Sequence, residues 1–376
     1  MSKQSDIPVA AWPVRIVAWF EKANRPMPWR ENPSPYRVWI SEIMLQQTQV
    51  ATVIPYFERF LQRFPNVQTL AAADLQDVLR LWEGLGYYSR ARNLHKAARE
   101  VMTARVGRLP ETYDEWIALP GIGAYAAAAI ASIAFGEPVP SVDGNVLRVC
   151  ARLWGLRDPI RDPKVVNLVR EKLRPLIGRV NPSHFNQALM ETGALVCRPR
   201  NPDCAACILC PDCAAHRAGL VEVIPVLRPA PPVPHYDVAV GVIWKTGRIL
   251  IARREDDRML GGLWEFPGGK QQGDESLEQT VRREVREETG LRVRVGEPYA
   301  TVRHAYSHFR ITLTAFRCEW KTGQPTPRTS VELKWIRPGD LRLYPFPRAN
   351  RRIGDLVMHE AAGKRRRSRT EAEGGS

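Results

Sequence analysis

The sequence has no run of about 18 apolar residues, so no segment is long enough to cross a membrane as a helix. Its most apolar stretch, residues 124–135, is shorter and rich in alanine, which is typical of a buried helix. Residues 1–11 lack the basic-then-apolar pattern of an export signal, and no internal repeat is visible. We therefore expect neither a membrane protein nor a secreted scaffold.

The chain has 376 residues, of which 44% are hydrophobic, so a largely disordered protein is also excluded and two or three domains are expected. It carries 55 Lys and Arg against 40 Asp and Glu, a net charge of +15. The surplus is shared, because the part up to Arg228 has 28 basic and 21 acidic side chains and the remainder has 27 and 19. Such a charge fits a polyanionic partner or simply a solvated basic surface.

The pattern of apolar residues changes along the chain. Residues 8–220 read as helices, with periodic stretches at 36–64, 74–82 and 91–104, and residues 223–234 form a proline-rich linker. After it, alternation predicts strands at 236–244, 249–253, 299–304 and 309–320, a turn at 245–248 and a helix at 277–289. We predict an all-α domain at 1–222, a linker at 223–235, an α+β domain at 236–355 and a basic disordered tail at 356–376.

Cysteine is concentrated in one segment. Five of the seven cysteines are Cys197, Cys204, Cys207, Cys210 and Cys213, whereas Cys150 and Cys318 stand apart. Without an export signal the compartment is expected to be reducing, so this cluster indicates metal binding rather than disulfides. Spacing alone leaves zinc and an iron–sulfur cluster equally open.

Two glycines, Gly121 and Gly123, flank one apolar residue between predicted helices at 113–118 and from residue 124. Such a turn exposes backbone N–H groups at a helix N-terminus, which favours a phosphate. A tight turn between helices, without a ligand, would have the same pattern.

Two carboxylates are candidates for acid–base chemistry. Asp143 precedes a predicted helix, where it could be only an N-cap, and Glu42 lies in an apolar helical stretch, where it could face solvent. If Glu42 is buried, its pKa rises and it can act as a general acid. Together the two would suit glycosidic bond hydrolysis, in which one carboxyl protonates the leaving group and the other stabilises the cation.

Several segments together resemble the adenine DNA glycosylases of the MutY type, in the endonuclease III superfamily. The resemblance runs from about residue 8 to residue 350 and is carried by residues 27–30, 41–48, 84–95, 119–123, 142–145 and 186–191. It implies a helix-hairpin-helix glycosylase domain followed by a MutT-like domain. It also implies removal of adenine mispaired with 8-oxoguanine or guanine in double-stranded DNA.

The resemblance implies a role for each matched residue. Glu42 matches the acid that protonates adenine, Asp143 the carboxylate that stabilises the cation, and Tyr125 and Asn145 residues that assist them. The adenine pocket would be formed by Trp29, Arg30, Leu45 and Glu191. DNA contacts would come from Gln47, Tyr87, Gly121 and Gly123, and a 4Fe–4S cluster would be held by Cys197, Cys204, Cys207 and Cys213, leaving Cys210 unused.

Tyr125 occupies the position at which relatives with strand-cleaving activity have a lysine that forms a Schiff base. A phenol cannot do this, so the resemblance implies a glycosylase without lyase activity. It further implies a monomer in the bacterial cytoplasm, associated with the nucleoid and not with a membrane.

The C-terminal part contains a complete Nudix box, which the resembled family usually lacks. Gly269, Glu275 and residues 283–291 fill every fixed position, and Glu284, Glu287 and Glu288 are spaced to share one helical face. A Mg²⁺ ion bridging diphosphate oxygens requires such a face. The resemblance also implies that Tyr306, Ser307 and His308 read 8-oxoguanine.

The domain could therefore read 8-oxoguanine only, or could also hydrolyse an oxidised nucleoside triphosphate. A third alternative, a nucleotide hydrolase tethered to DNA by its helical half, leaves the glycosylase motifs unexplained.

Overall fold

The computed structural model describes residues 11–229, 231–306 and 308–373 and divides the chain into two compact units. The first unit contains residues 1–71 and 96–230, and the second contains residues 72–95 and 231–376. In the part described, the helices are α1 Trp12–Ala23, α2 Pro28–Glu31, α3 Pro35–Leu45, α4 Val50–Arg63, α5 Val67–Ala71, α6 Leu75–Trp82, α7 Ser89–Arg105, α8 Tyr113–Ile117, α9 Ala124–Phe135, α10 Gly144–Trp154, α11 Pro163–Ile177, α12 Pro182–Leu195, α13 Ala214–Arg217, α14 Leu277–Thr289 and α15 Arg348–Glu373. The strands are β1 His235–Lys245, β2 Arg248–Arg254, β3 Trp264–Glu265, β4 Gly268–Lys270, β5 Arg292–Ala305, β6 Arg310–Thr322 and β7 Ser330–Ile336.

The predicted fold class is confirmed, because helices form the first unit and a sheet with helices forms most of the second. Among the described residues, no helix combines the length and apolar content needed to span a bilayer.

Helices α9 and α10 position the centre of the first unit. In α9 the residues Ala126 to Ser132 are all buried, since small side chains let neighbouring helices approach on every side. Asp143 caps α10 by accepting a hydrogen bond from the Val146 N–H at 2.7 Å. Gly136 and Gly155, both in the left-handed region, end the two helices.

The expected continuous helical stretch at 36–64 is wrong in its middle. The chain forms α3 and α4 with a break at residues 46–49, where Gln47 has a φ of +56°. A left-handed residue cannot continue a right-handed helix, so the break presents the exposed Gln47 side chain on a turn.

The proline-rich segment begins inside the first unit rather than as a detached linker. Ile224 is buried in the same apolar cluster as α10, α11 and α12, and its carbonyl accepts a hydrogen bond from Arg152 Nε at 2.7 Å. The Val226 carbonyl likewise accepts from the Ile160 N–H at 3.1 Å. Only the later residues can therefore act as a spacer.

The second unit is built on a sheet with the strand order β3-β2-β1-β6-β5, to which β4 pairs on β1 and β7 on β2. The β1–β6 pair is parallel and the others are antiparallel. Strand β1 sends alternate side chains to two cores: Ala239 and Ile243 pack towards α14, and Val240 and Val242 towards α15.

The sequence correctly predicted α14 at 277–289, the strands at 236–244 and 249–253, and parts of β5 and β6. It missed β3, β4 and β7, which are short or rich in glycine and charge.

The expected disordered tail from residue 356 is also wrong. Helix α15 continues to Glu373, and Val357 is fully buried beside Ile353 in the core. Residues one helical turn apart on one face thus extend the domain beyond residue 355.

Candidate active site

Eight of the residues predicted for catalysis and adenine binding line one cavity of about 720 Å³ in the first unit. They are Trp29, Arg30, Glu42, Leu45, Tyr125, Asp143, Asn145 and Glu191. Helices α2, α3, α9, α10 and α12 supply them, so residues far apart in sequence meet in one place. The volume is in the range of small-molecule sites and suits one nucleobase with its sugar.

Glu42 is the buried acid of this cavity, with only 6% of its surface exposed. Its pKa is raised to about 7, chiefly by burial and to a smaller extent by the charge of Asp143, while a hydrogen bond from the Tyr125 hydroxyl and the charge of Arg30 oppose the rise. That hydroxyl lies 2.9 Å from Glu42 Oε2. A carboxyl in this setting is partly protonated near neutral pH, as a general acid must be.

Asp143 is both a helix cap and a cavity carboxylate, so the two interpretations of the sequence hold together. Its Oδ1 accepts from the Val146 N–H, and its Oδ2 accepts from Asn145 Nδ2 at 2.9 Å. Burial raises its pKa, while these hydrogen bonds favour the ionised form. Buried Asn186 holds the loop before it, accepting from the Ser141 N–H at 3.0 Å.

Another part of the cavity wall is a charged network around Glu191. Burial opposes its ionisation, but hydrogen bonds and charge from Arg25 and Arg30 hold its pKa below the usual range. Arg25 Nη2 lies 3.0 Å from Glu191 Oε2, and Arg30 Nε donates to Gln187 Oε1 at 2.9 Å. Sequence reasoning missed Arg25, which belongs to no recognised motif, and Gln187, which lies inside the matched segment 186–191 but was not singled out.

Close packing fixes Asn145 against α12. A Cβ on Gly193 would lie 2.6 Å from the Asn145 Cβ, so only glycine fits there. Arg148 Nη2 donates to Asn145 Oδ1 at 2.8 Å, and its Nε donates to the Cys197 carbonyl at 2.7 Å. The hydrogen bonds therefore run without a gap from Asp143 to the cysteine segment.

The predicted DNA-contacting residues of the first unit are not among the residues that line this cavity. Gly121, with a φ of +74°, and Gly123, the N-cap of α9, are exposed at the start of that helix. A Cβ on Gly123 would meet nothing within 4 Å, so the backbone there is open to an approaching group. In the second unit Tyr87 has a φ of +49° and is 37% exposed.

The cysteine segment brings together side chains of the kind that hold a metal cluster. All five of its cysteines line one small pocket together with Arg152 and His216, and none is in a disulfide. Arg152 Nη1 lies 3.3 Å from Cys197 Sγ, and this buried guanidinium also donates to the carbonyls of Arg198 and Pro199. Within the described residues, no group of three or more His, Cys, Asp or Glu side chains is arranged to hold a metal ion. The donor chemistry nevertheless fits, because thiols converge on one pocket beside a cation that offsets thiolate charge.

In the second unit the Nudix box glutamates belong to a network of carboxylates and arginines. Glu288 accepts from the Gly268 N–H at 3.0 Å, and burial raises its pKa to about 8, aided by the charge of Glu265. Arg254 Nη1 binds both oxygens of Glu265 at 2.7 and 2.8 Å.

A second arginine of that network holds the remaining carboxylates. Arg283 pairs with Glu275 at 2.6 Å, with Glu284 at 2.8 Å and with Glu287 at 3.2 Å. Glu287 is the most exposed of the box glutamates, at 58%.

The predicted 8-oxoguanine segment lies partly within the described residues. Tyr306 is half-buried and stacks on Phe309 with ring centroids 4.7 Å apart, whereas His308 is exposed. Burial raises the pKa of Tyr306 to about 12. Ser307 lies outside the described residues.

Comparison with known proteins agrees with both units. Residues 40–175 match the family model of the HhH-GPD superfamily of base excision DNA repair proteins, and residues 239–356 match that of the NUDIX domain. A solved structure titled as a thermostable thymine-DNA glycosylase has a TM-score of 0.51 and 26% identity, covering 55% of this chain and 96% of that one.

Curated relatives extend across both parts of the chain. The adenine DNA glycosylase of Rattus norvegicus is 32% identical, with 87% of this chain and 74% of the relative covered. That of Homo sapiens is also 32% identical, over 87% of this chain and 70% of the relative. This chain belongs to the adenine DNA glycosylase family and is a base-excision repair enzyme.

Proposed function

We propose that this glycosylase removes adenine paired with 8-oxoguanine, or with guanine, from double-stranded DNA as a monomer. The observation that carries the proposal is the 2.9 Å hydrogen bond from Tyr125 to a buried Glu42 whose pKa is about 7, in the same cavity as Asp143. Adenine would be flipped out of the duplex into this cavity.

In the proposed reaction the Glu42 carboxyl gives its proton to N7 of adenine. The C1′–N9 bond then breaks, its electron pair leaves with the base, and a cation forms on the sugar. Asp143 stabilises that cation, and water adds to C1′ and loses its proton to the Glu42 carboxylate, which restores the acid. Asn145 orients Asp143, whereas Arg25 and Arg30 keep Glu191 ionised as an acceptor for the adenine amino group.

A single-turnover assay on three duplexes tests this proposal: A opposite 8-oxoguanine, A opposite guanine, and C opposite 8-oxoguanine. We expect rapid base loss from the first, slower loss from the second and none from the third. Loss of cytosine, or no loss of adenine, would contradict the proposal.

The enzyme is proposed to leave the DNA strand intact. The cavity presents the Tyr125 phenol, whose pKa burial raises well above its ordinary value, and this group cannot form a Schiff base. Borohydride trapping on mispaired DNA should therefore yield no covalent complex, and efficient trapping would overturn this part.

Cys197, Cys204, Cys207 and Cys213 are proposed to hold a 4Fe–4S cluster, which would cross-link the segment after α12. The chain's own residues then hold the site together, with Arg152 beside Cys197 and Arg148 beside the Cys197 carbonyl. The Cys204→Ser variant should lose iron and sulfide and melt at a lower temperature than the wild type. The Cys210→Ser variant should keep its iron, its sulfide and the wild-type melting temperature. Equal iron loss in the two variants would mean that the ligand set is wrong.

Phosphate contacts are proposed at Gly121 and Gly123, and base-stack contacts at Gln47 and Tyr87. The support is local: exposed backbone at the start of α9, and two exposed side chains on left-handed turns. Tyr306, Ser307 and His308 are proposed to read 8-oxoguanine. The proposed site of action is the DNA itself, which in a bacterium is the nucleoid in the cytoplasm.

A second activity, hydrolysis of an oxidised nucleoside triphosphate, has its own observation. Besides the complete Nudix box, Glu265 lies near the box glutamates. Burial, and to a smaller extent the charge of Glu284, raises the pKa of Glu265, and burial followed by the charge of Glu265 raises the pKa of Glu288. Carboxylates outside and inside the box therefore converge. Glu284, Glu287 and Glu288 would hold Mg²⁺, which would neutralise diphosphate oxygens.

The test uses the full protein with Mg²⁺ and 8-oxo-dGTP, measuring release of pyrophosphate and phosphate against Glu287→Gln. Release by the wild type that the variant lacks supports the second activity. Equal release by the wild type and Glu287→Gln would mean that the domain only reads 8-oxoguanine in DNA.

A further inference from the structure

The second unit consists of two stretches of chain, residues 72–95 and 231–376, and a turn at residues 84–87 in the first is held by the second. The turn lies between α6 and α7, and Gly84, Gly86 and Tyr87 all have left-handed φ values, +101°, +75° and +49°. Tyr87 is not a glycine, so its left-handed conformation costs free energy that neighbouring contacts must offset. The contacts on both sides of the turn therefore decide whether Tyr87 keeps this conformation.

Before the turn, Glu83 is clamped by Arg351 of α15. Arg351 donates to both carboxylate oxygens, with Nη2 2.9 Å from Oε2, and both side chains are only 18% exposed. Arg351 also donates to the carbonyls of Leu341 and Tyr344, so its guanidinium is fixed on that side too. A two-pronged ion pair of this kind sets direction as well as distance.

After the turn, one hydroxyl joins the two stretches of chain. The Tyr88 hydroxyl accepts from the Gly84 N–H at 3.3 Å and donates to the Phe346 carbonyl at 3.3 Å, and the residue is 4% exposed. Within the turn, the Gly86 carbonyl accepts from Trp82 Nε1 at 3.2 Å and from Arg90 Nη2 at 3.1 Å. The backbone on each side of Tyr87 is thus fixed.

Helix α6 and the start of α7 are also held, by residues 261–264 of the same unit. The Gln76 amide donates to the Gly262 carbonyl at 2.9 Å and accepts from Trp264 Nε1 at 2.9 Å. Arg92 Nη1 donates to the Gly261 carbonyl at 2.8 Å. Leu79 packs so closely that a Cβ on Gly262 would lie 3.1 Å from its Cδ1.

We propose that Arg351 and the Tyr88 hydroxyl are positioning residues for the base-stack contact of Tyr87. An exposed aromatic side chain on a rigid turn, in a chain with a net charge of +15, is suited to stacking on DNA bases. The inference rests on the proposed DNA contact at Tyr87. The Nudix-type half would then govern duplex engagement by shaping a turn of residues 84–87, in addition to any reading of the opposite base.

The test compares Arg351→Met and Tyr88→Phe in the full-length protein, with Arg294→Met as the matched control. Arg294 forms an exposed ion pair with Glu319 in the same unit, so its variant also loses one Arg–Glu pair. The readouts are the half-saturating concentration of mispaired duplex and the single-turnover rate at saturation. We expect the half-saturating concentration to rise about 3- to 30-fold in both test variants and not in the control, with little change in the saturated rate.

A Tyr87→Ala background separates positioning from general stability. If Arg351 and Tyr88 act through Tyr87, their variants should add no further weakening there, whereas a purely structural role would weaken binding equally in both backgrounds. Tyr88→Phe removes only a hydroxyl, so it decides the matter if Arg351→Met fails to fold.

The possible failures are distinguishable. A wild type that does not excise adenine contradicts the proposed function. An active wild type whose test variants match Arg294→Met overturns this inference alone. An active wild type whose Tyr87→Ala variant binds normally overturns the proposed DNA contact at Tyr87 and, with it, this inference.

Discussion

The catalytic cavity and the Nudix box treat their carboxylates in different ways. Glu42 is buried against a phenol, with no arginine hydrogen-bonded to it in the described structure, and its pKa rises to about 7. Glu275 and Glu284 are instead paired with Arg283. Burial without a hydrogen-bonded cation favours the protonated carboxyl that a proton donor needs, whereas the hydrogen bond from Arg283 lowers the pKa of Glu275 to about 2.

Glu288 stands between these two cases. It belongs to the box, yet burial and Glu265 raise its pKa to about 8, close to the condition of Glu42. A divalent cation beside it would favour the ionised form and reverse that shift. Burial of a carboxyl thus prepares Glu42 to donate a proton in the catalytic cavity. In the Nudix box, a bound cation would offset the effect of burial on Glu288.

Removal of the acid should produce the largest effect. Glu42→Gln cannot donate a proton, so we expect the single-turnover rate to fall by about 10²–10⁴-fold while duplex affinity is nearly unchanged. Glu171→Gln on α11, whose side chain is 62% exposed, provides a charge-matched control. Continued turnover by Glu42→Gln would assign the acid elsewhere.

The pH dependence of excision should follow Glu42. Its neutral form is the active one and its pKa is about 7, so the saturated rate should fall by up to about tenfold per pH unit above that value. On the acid side the rate should fall as Asp143 is protonated, at a pH above the usual range for aspartate because its pKa is raised. A profile that is flat from pH 6 to about 9 would contradict the assignment.

Stability should respond to Glu288 with a known sign. Because its folded pKa of about 8 exceeds the ordinary 4.5, its stabilising contribution is complete below the ordinary value and is lost as pH rises through about 8. We expect Glu288→Gln to lose this dependence, which should change the difference in melting temperature between the two proteins by about 2–4 °C from pH 6 to about 9. Thermal unfolding followed by circular dichroism measures the two melting temperatures at each pH. If their difference stays the same from pH 6 to about 9, the raised pKa of Glu288 is refuted.

The smallest effect is expected at the reader segment. His308 is exposed, so His308→Ala should leave folding intact and reduce the preference for 8-oxoguanine over guanine by about 3- to 10-fold, the value of one hydrogen bond. Competition between the two mispairs measures the preference. An equal loss of rate on both substrates would indicate a role in chemistry or folding instead.

Local signals explain what could be predicted from sequence. Helix α14 is bounded by a capping box of Ser276 and Gln279 and by the left-handed Gly290, so its limits are visible in the residues themselves. The Asp143 cap is local in the same way. The broken stretch at Gln47 has no glycine or proline to mark it, so no residue type reveals that turn.

Tertiary contacts explain what could not be predicted. The meeting of Glu42, Tyr125 and Asp143 followed from a family resemblance, because spacing says nothing about three helices converging. The pairing of Arg25 with Glu191 joins residues 166 positions apart, with no motif around Arg25. The burial of Val357 cannot be predicted from sequence, because the basic residues that follow it indicate a solvated tail.

The second unit is assembled from two stretches of chain, and this has a consequence for synthesis on the ribosome. Gln76 and Glu83 are made long before their partners, which follow 186 and 268 positions later in the hydrogen bonds to Gly262 and Arg351. Until then the Gln76 amide and the Glu83 carboxylate lack these two partners, and Leu79 lacks the neighbour at Gly262. A nascent chain that stops before residue 231 therefore contains residues 84–87 but not the anchors of their turn, so the final part of translation completes a structure begun in its first quarter.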